Sequence, residues 1–186
     1  SMTDANSGGD SAVWPAEGVE FIMSASGRSD GYAARITGTL GALYDYRFLG
    51  VGLNFIRPKA TYNATAYTGI SFWVKVGDTP GAATTLRMSV PNVDTDLDGG
   101  ICNTASVTNC RNNYGANYYP TTDWQQITVF FNLMTQEAGW GYTPPGGFTL
   151  GQLYGIQWQV KGASGQAVDL WIDDVMFITD VAPTPT

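Results

Sequence analysis

Along most of the chain apolar residues recur at every second position, and the runs end at Gly, Pro, Asn or Asp. This is the signature of strands, because successive side chains of an extended backbone point to opposite faces. No stretch carries the longer period of an amphipathic helix. The alternation predicts strands at 19–25, 32–39, 51–56, 70–76, 86–90, 117–121, 126–131, 154–160 and 168–178. Short strands without an internal repeat predict one all-β domain, a two-sheet antiparallel β-sandwich of the jelly-roll kind. Successive strands of a jelly roll tend to change sheet. That rule places the strands beginning at 19, 32, 70, 126 and 168 in one sheet and those at 51, 86, 117 and 154 in the other.

In the second group the phase of the alternation also assigns faces. Val51, Leu53 and Phe55 point to the core and leave Gly50, Gly52 and Asn54 outward. Arg87 and Ser89 face out between Leu86, Met88 and Val90, and Gln157 and Gln159 face out around Trp158. One outer sheet face is therefore expected to have a glycine floor, overlooked by neutral amides, a hydroxyl and one guanidinium. Such groups suit a ligand rich in hydroxyls, which donate and accept in fixed directions, while glycine lets a chain approach the backbone. Each position taken alone also fits an ordinary solvated residue.

Aromatic rings offer flat faces to sugar C–H groups, but they also fill β cores. Trp73 and Trp171 fall on the other sheet and Trp158 points inward, so these read as packing, as does Trp124 at a strand start. The aromatic candidates for ligand contact are Tyr118 and Tyr119, neighbours of which one faces outward, and Trp140 and Tyr142 in a Gly-Trp-Gly-Tyr loop. The alternative for the loop pair is capping the sandwich. Tyr44 and Tyr46 are secondary candidates.

Composition narrows the chemistry. The formal net charge is −7, and the six Arg and three Lys are scattered, so no basic footprint for nucleic acid or an anionic membrane surface is present. No apolar run approaches the roughly 20 residues of a spanning helix. The chain has no histidine, which removes the commonest general base and every His-ligated metal site. Its only glutamates are Glu17, Glu20 and Glu137, and nothing in their spacing advertises the facing carboxyl pair of a glycosidase. At 186 residues the chain can bury its own core and is expected to be monomeric.

Cys102 and Cys110 lie in a Gly/Asn/Thr-rich stretch that a loop can close into a disulfide, in keeping with a secreted, extracellular protein. Ser1-Met2 reads as a tag remnant, and Val181 to Thr186 read as the start of a Pro/Thr linker. The expected organisation is a frayed segment at 1–11, one domain at 12–180 and a tether at 181–186.

Five segments carry a resemblance: Gly31-Tyr-Ala-Ala-Arg-Ile-Thr-Gly38, Tyr67-Thr-Gly-Ile-Ser-Phe-Trp-Val-Lys75, Trp124-Gln-Gln-Ile-Thr-Val-Phe-Phe131, Gly139-Trp-Gly141 and Trp171-Ile-Asp-Asp-Val175. In order and spacing they resemble the galactose-binding-like β-sandwich carbohydrate-binding modules, most nearly family 11, with family 81 a further option. The resemblance implies non-catalytic binding of a β-1,4 or mixed-linked β-glucan, such as cellulose or xyloglucan, in a cleft on one sheet. It also implies a tether to a glycoside hydrolase, as in a multimodular cellulase. The expected ligand-binding residues are Asn54, Arg87, Tyr118, Tyr119, Trp140, Tyr142, Gln157 and Gln159. The same resemblance implies a structural calcium, Ca2+, joining the N-terminal segment to the last strand. Asp173 is the carried-over ligand, with Asp174 beside it and Glu20 or Asp30 as partners, and hard oxygen donors in irregular loops suit that ion. Asp94, Asp96 and Asp98 have the spacing of an EF-hand loop, but Ala105 stands where its bidentate Glu belongs. Two readings of another class are a small β-sandwich glycanase or polysaccharide lyase and an adhesion domain whose partner is protein.

Overall fold

The structure, a computed structural model, describes residues 1–24, 26–29, 31–104 and 109–181. Its strands are β1 (Met2–Thr3), β2 (Ala12–Trp14), β3 (Ile22–Ser24), β4 (Ala33–Thr39), β5 (Phe48–Asn54), β6 (Gly69–Val76), β7 (Thr85–Val90), β8 (Tyr114–Tyr118), β9 (Gln125–Phe130), β10 (Gly155–Lys161) and β11 (Ala167–Ile178). They form two sheets, β1-β5-β10-β7-β8 and β2-β4-β11-β6-β9, with β3 also paired to β4. All pairings are antiparallel. The architecture is the expected two-sheet sandwich, and every strand foreseen from the alternation lies in the sheet assigned to it.

The inward residues of both sheets interlock in one core. Leu49, Val51, Leu86, Met88, Ile156, Trp158 and Val160 meet Ile36, Ile70, Phe72, Val74, Leu170 and Ile172. Trp158 is fully buried, edge-on to Phe72 with ring centroids 5.5 Å apart. Full burial of side chains this large contributes about 1.5–3 kcal/mol each, and an aromatic pair adds about 1 kcal/mol. Because Trp158 anchors β10 from inside, Gln157 and Gln159 must stand on the opposite face.

Several boundaries moved. The run at 117–121 is β8 three residues earlier, since Tyr114 pairs with Val90, and Pro120 lacks the N–H to continue a ladder. Residues 1–11 are packed into the fold rather than frayed. Met2 and Thr3 pair with Gly50 and Leu49, and the Asp4 carboxylate, 1% exposed, accepts bonds from Ser11 N (3.1 Å), Ser11 Oγ (2.6 Å) and Phe48 N (3.3 Å). Of the expected tether, residues 182–186 lie outside the described residues.

The outer face of the second sheet carries a cation and indole ladder. Register places Arg35 beside Trp171 and Trp171 beside Lys75. The Arg35 guanidinium is 4.4 Å from the Trp171 ring, Lys75 Nζ is 5.0 Å from Trp171 and 5.4 Å from Trp124, and Arg28 is 4.2 Å from Trp73. Trp73, Trp124 and Trp171 are therefore packed, as expected, but against cations on the outer face rather than in the core. Asp169 holds Arg35 with two bonds of 2.9 and 2.8 Å.

Candidate functional site

Register aligns the outward residues of the first sheet in rows that cross the strands. One row is Gly50, Gln159, Arg87 and Asn117; the next is Gly52, Gln157, Ser89 and Gly115. Beyond them Asn54 lies opposite Gly155. The second row is almost bare of side chains, with Gln157 rising between two glycines and a serine. Four strands at the usual spacing of about 4.8 Å make a trough roughly 14 Å long from β5 to β8, enough for an oligosaccharide segment rather than a single ring. The backbone itself requires glycine at 115. A β-carbon on Gly115 would lie 2.2 Å from the Met88 carbonyl oxygen and 2.8 Å from Ser89 Cα.

The trough is walled by polar groups. On one flank, beyond the Gln159 row, Lys161 pairs with Glu137, which reaches in from the loop after β9. On the other flank, beyond the Gln157 row, a cleft of about 160 Å³ is lined by Met2, Gly52, Asn54, Lys59, Tyr154 and Gln157. Lys59 Nζ bridges Asp96 Oδ1 (2.8 Å) and Asp98 Oδ2 (2.7 Å) and stands 4.8 Å from the Tyr154 ring. Burial pulls the Lys59 ammonium down, but its bonds to the two carboxylates outweigh this and leave its pKa raised. Both flanks therefore carry paired charges, and Arg87 is the one charged side chain in the two rows between them.

The expected ligand residues separate into three groups. Asn54, Gln157 and Gln159 face the trough with open amide positions. Tyr119, 71% exposed, follows β8 on the outward phase. Tyr118 is the inward neighbour and packs against the core, and burial raises its hydroxyl pKa. Its side chain serves the sandwich rather than the trough.

Arg87 also departs from the expectation. It is 5% exposed, and its Nη2 donates to the carbonyls of Asn113 (3.0 Å) and Thr135 (2.7 Å) while Nη1 reaches Asn117 Oδ1 (3.4 Å). Burial lowers its pKa, partly countered by the nearby Glu137 carboxylate. It pins the loop after β9 to the trough edge instead of standing over the floor, because the loop folds back to pair Thr135 with Gly115.

Trp140 and Tyr142 lie beyond β8 in that same loop. Trp140 is 44% exposed, whereas Tyr142 is half-buried and held by its main chain, N donating to Asn109 O (2.7 Å) and O accepting from Gln136 Nε2 (2.8 Å).

Sequence reasoning missed Asn113 and Asn117. Asn113 is buried, donates to Gln157 Oε1 (3.2 Å), accepts from Thr95 Oγ1 (2.7 Å) and so fixes one trough amide from behind. Asn117 could have been found from its outward phase once Leu86 is placed opposite Tyr118. Nothing in the sequence flagged Asn113.

Asp173 is held by backbone N–H groups, and Asp174 and Glu20 by guanidinium side chains. Asp173 Oδ2 accepts from Arg28 N (2.8 Å) and its Oδ1 from Asp174 N (2.8 Å), while Asp174 Oδ2 takes Arg28 Nε (3.0 Å) and Nη2 (2.5 Å). Glu20 is engaged by Arg57 at 2.6 Å, and Asp30 lies outside the described residues, as does Ala105. Among the described residues no three carboxylate, Cys or His groups gather within reach of one another. Arg28→Gln is expected to lower the melting temperature by about 2–4 °C, the shift expected for about 1 kcal/mol in a chain of this size. Differential scanning fluorimetry checks this. Cys102 and Cys110 form the expected disulfide.

The three glutamates are also engaged: Glu17 accepts from Thr3, Glu20 from Arg57 and Glu137 from Lys161.

No protein-family model matches the sequence, and no curated protein matches it. Solved structures do. A family 11 carbohydrate-binding module of a cellulosomal cellulase of Clostridium thermocellum superposes with a TM-score of 0.57 at 16% identity, covering 94% of this chain and 89% of that one. A family 11 module from the same organism, in complex with a β-1,3-1,4-mixed-linked tetrasaccharide, gives 0.56 at 17% identity over 92% and 88%. A family 30 module of a Clostridium thermocellum cellulosomal cellulase gives 0.54 at 13% identity over 92% and 91%. The chain has the β-sandwich fold of these modules.

Proposed function

We propose that this chain, sharing the fold of the family 11 and family 30 modules, is a non-catalytic module that binds an uncharged β-glucan in the trough across β5, β10, β7 and β8. One observation carries the reading: register brings Gly52, Ser89 and Gly115 into a floor that Gln157, Gln159, Asn117 and Asn54 overlook. Amides can both donate to and accept from sugar hydroxyls, and a floor without side chains admits the apolar face of the pyranose ring. The one charge in these rows, Arg87, is already buried on carbonyl acceptors under the loop, so a neutral ligand does not have to strip water from an exposed unpaired charge. Such a module would serve as a targeting element for a tethered glycoside hydrolase in a secreted enzyme.

Affinity electrophoresis tests the proposal. Gels containing mixed-linked β-glucan, xyloglucan or hydroxyethylcellulose should retard the protein, and reducing-sugar release from the same polymers should stay at background. Free migration through all three gels would remove the glucan reading, and steady sugar release would make the chain an enzyme.

A further inference from the structure

Beyond the β8 edge lies a cleft of about 580 Å³, lined by Tyr114, Thr135, Gln136, Glu137, Trp140 and Thr143 among others. No residue of the two floor rows contributes to it. Trp140 is the feature that needs a reason. A half-exposed indole in a loop after a strand is ordinarily a cap on the core, yet Trp140 is not among the residues packed against the core. Tyr114 and Phe148 do that work, stacked at 4.8 Å, and Phe148 meets Phe131 edge-on.

The loop is nevertheless held rigidly. Asn112, 2% exposed, donates through Nδ2 to the carbonyls of Glu137 (2.8 Å) and Trp140 (2.6 Å) and accepts from Glu137 N (2.9 Å). Gln136 Nε2 ties the Asn112 carbonyl (2.7 Å) to that of Tyr142 (2.8 Å). Gly139 and Gly141 flank the indole at φ of 87° and 78°, where a side chain is strained, and a β-carbon on Gly141 would lie 2.5 Å from Asn112 Cβ. The buried Asn112 amide and the half-buried Gln136 amide thus fix the backbone on both sides of an exposed aromatic face. That is preorganisation of a contact surface, which lowers the entropy lost on binding.

We infer that this cleft is a second sugar subsite, with Trp140 as stacking platform for a single pyranose unit of the polysaccharide held in the trough; the inference rests on the glucan reading above. The apolar ring face offers the stacking surface, and the polar residues Thr135 and Thr143 also line the cleft, a lining that suits sugar hydroxyls at its rim. The unit can be a chain end or a branch, and the experiment tells these apart.

Wild type, Trp140→Ala and the double variant Gln157→Ala/Gln159→Ala are titrated with an unbranched mixed-linked tetrasaccharide and with a xylose-branched xyloglucan oligosaccharide. The Trp140 indole N–H resonance, assigned by its loss in Trp140→Ala, reports the cleft, and the Gly52 and Gly115 amides report the trough. The Trp140 signal is expected to move in wild type and to keep moving in the double variant at higher sugar concentration. Trp140→Ala should weaken polysaccharide binding by about tenfold, the size of one aromatic contact, while the trough amides still respond. A response to the unbranched sugar assigns a chain end, and a response to the branched one alone assigns a branch. A Trp140 signal that stays still while the trough responds overturns the second subsite alone. Silence in both regions overturns the glucan reading itself.

Discussion

Replacing Gln157 and Gln159 together by alanine is expected to weaken binding of soluble β-glucan by about a hundredfold. A neutral hydrogen bond contributes about 0.5–1.5 kcal/mol net, so two amides making two sugar contacts each account for about 2–6 kcal/mol, and a hundredfold, about 2.7 kcal/mol, lies toward the lower end of that range. The single variants should differ in stability. Gln159 has only a long contact to Met2 Sδ, 4.0 Å from its Nε2, so Gln159→Ala should leave the melting temperature nearly unchanged. Gln157 accepts from the buried Asn113 side chain, and its removal leaves that donor without this partner. An unsatisfied buried donor costs about 1–3 kcal/mol, or roughly 2–12 °C in a domain this size. Calorimetric titration together with thermal melts reads both effects. Unchanged affinity in the double variant would remove these amides from the site.

The second large effect falls on the floor. Gly115→Val is expected to lose glucan binding and about 3 kcal/mol of stability, because its β-carbon would collide with the β7 backbone at Met88 O, 2.2 Å away. Gly52→Val provides the contrast. Its β-carbon meets only the mobile end of Met2 at 2.7 Å and Gln157 Cγ at 3.3 Å, along with Ile156 O at 3.4 Å, so the stability loss should stay under about 1 kcal/mol. The added isopropyl group still fills the trough, so Gly52→Val should bind poorly although folded. Chemical denaturation and gel retardation of the pair separate a blocked floor from a broken sheet. Full binding by Gly52→Val would mean that the ligand lies elsewhere.

The contrast shows which parts of the site the sequence made legible. Period-two alternation reports faces, so Gly50, Gly52, Gln157 and Gln159 could be assigned outward from their neighbours alone. Sheet membership followed from strand switching. What depended on distant partners was not legible. Whether Tyr118 or Tyr119 turned outward required the pairing of Tyr118 with Leu86. Arg87 reads as a trough residue until the loop carrying Thr135 folds back and covers it. β1 and β2 are too short to show a period, and the Asp4 bond to Phe48 that helps seat them spans 44 positions. The acidic pair at Asp173 and Asp174 suggests a metal on its own, and only the fold brings Arg28 to it across 145 positions.

The central claim is that one sheet face, floored by glycine and serine, is where a neutral glucan chain lies. Amide chemical-shift mapping of the wild-type protein titrated with a mixed-linked tetrasaccharide tests it most directly. The account predicts a contiguous set of shifts over Gly50, Gly52, Ser89, Gly115, Asn117, Gln157 and Gln159. Shifts confined to the opposite sheet around Arg35, Lys75 and Trp171, or an unmoved spectrum at saturating sugar, would contradict it.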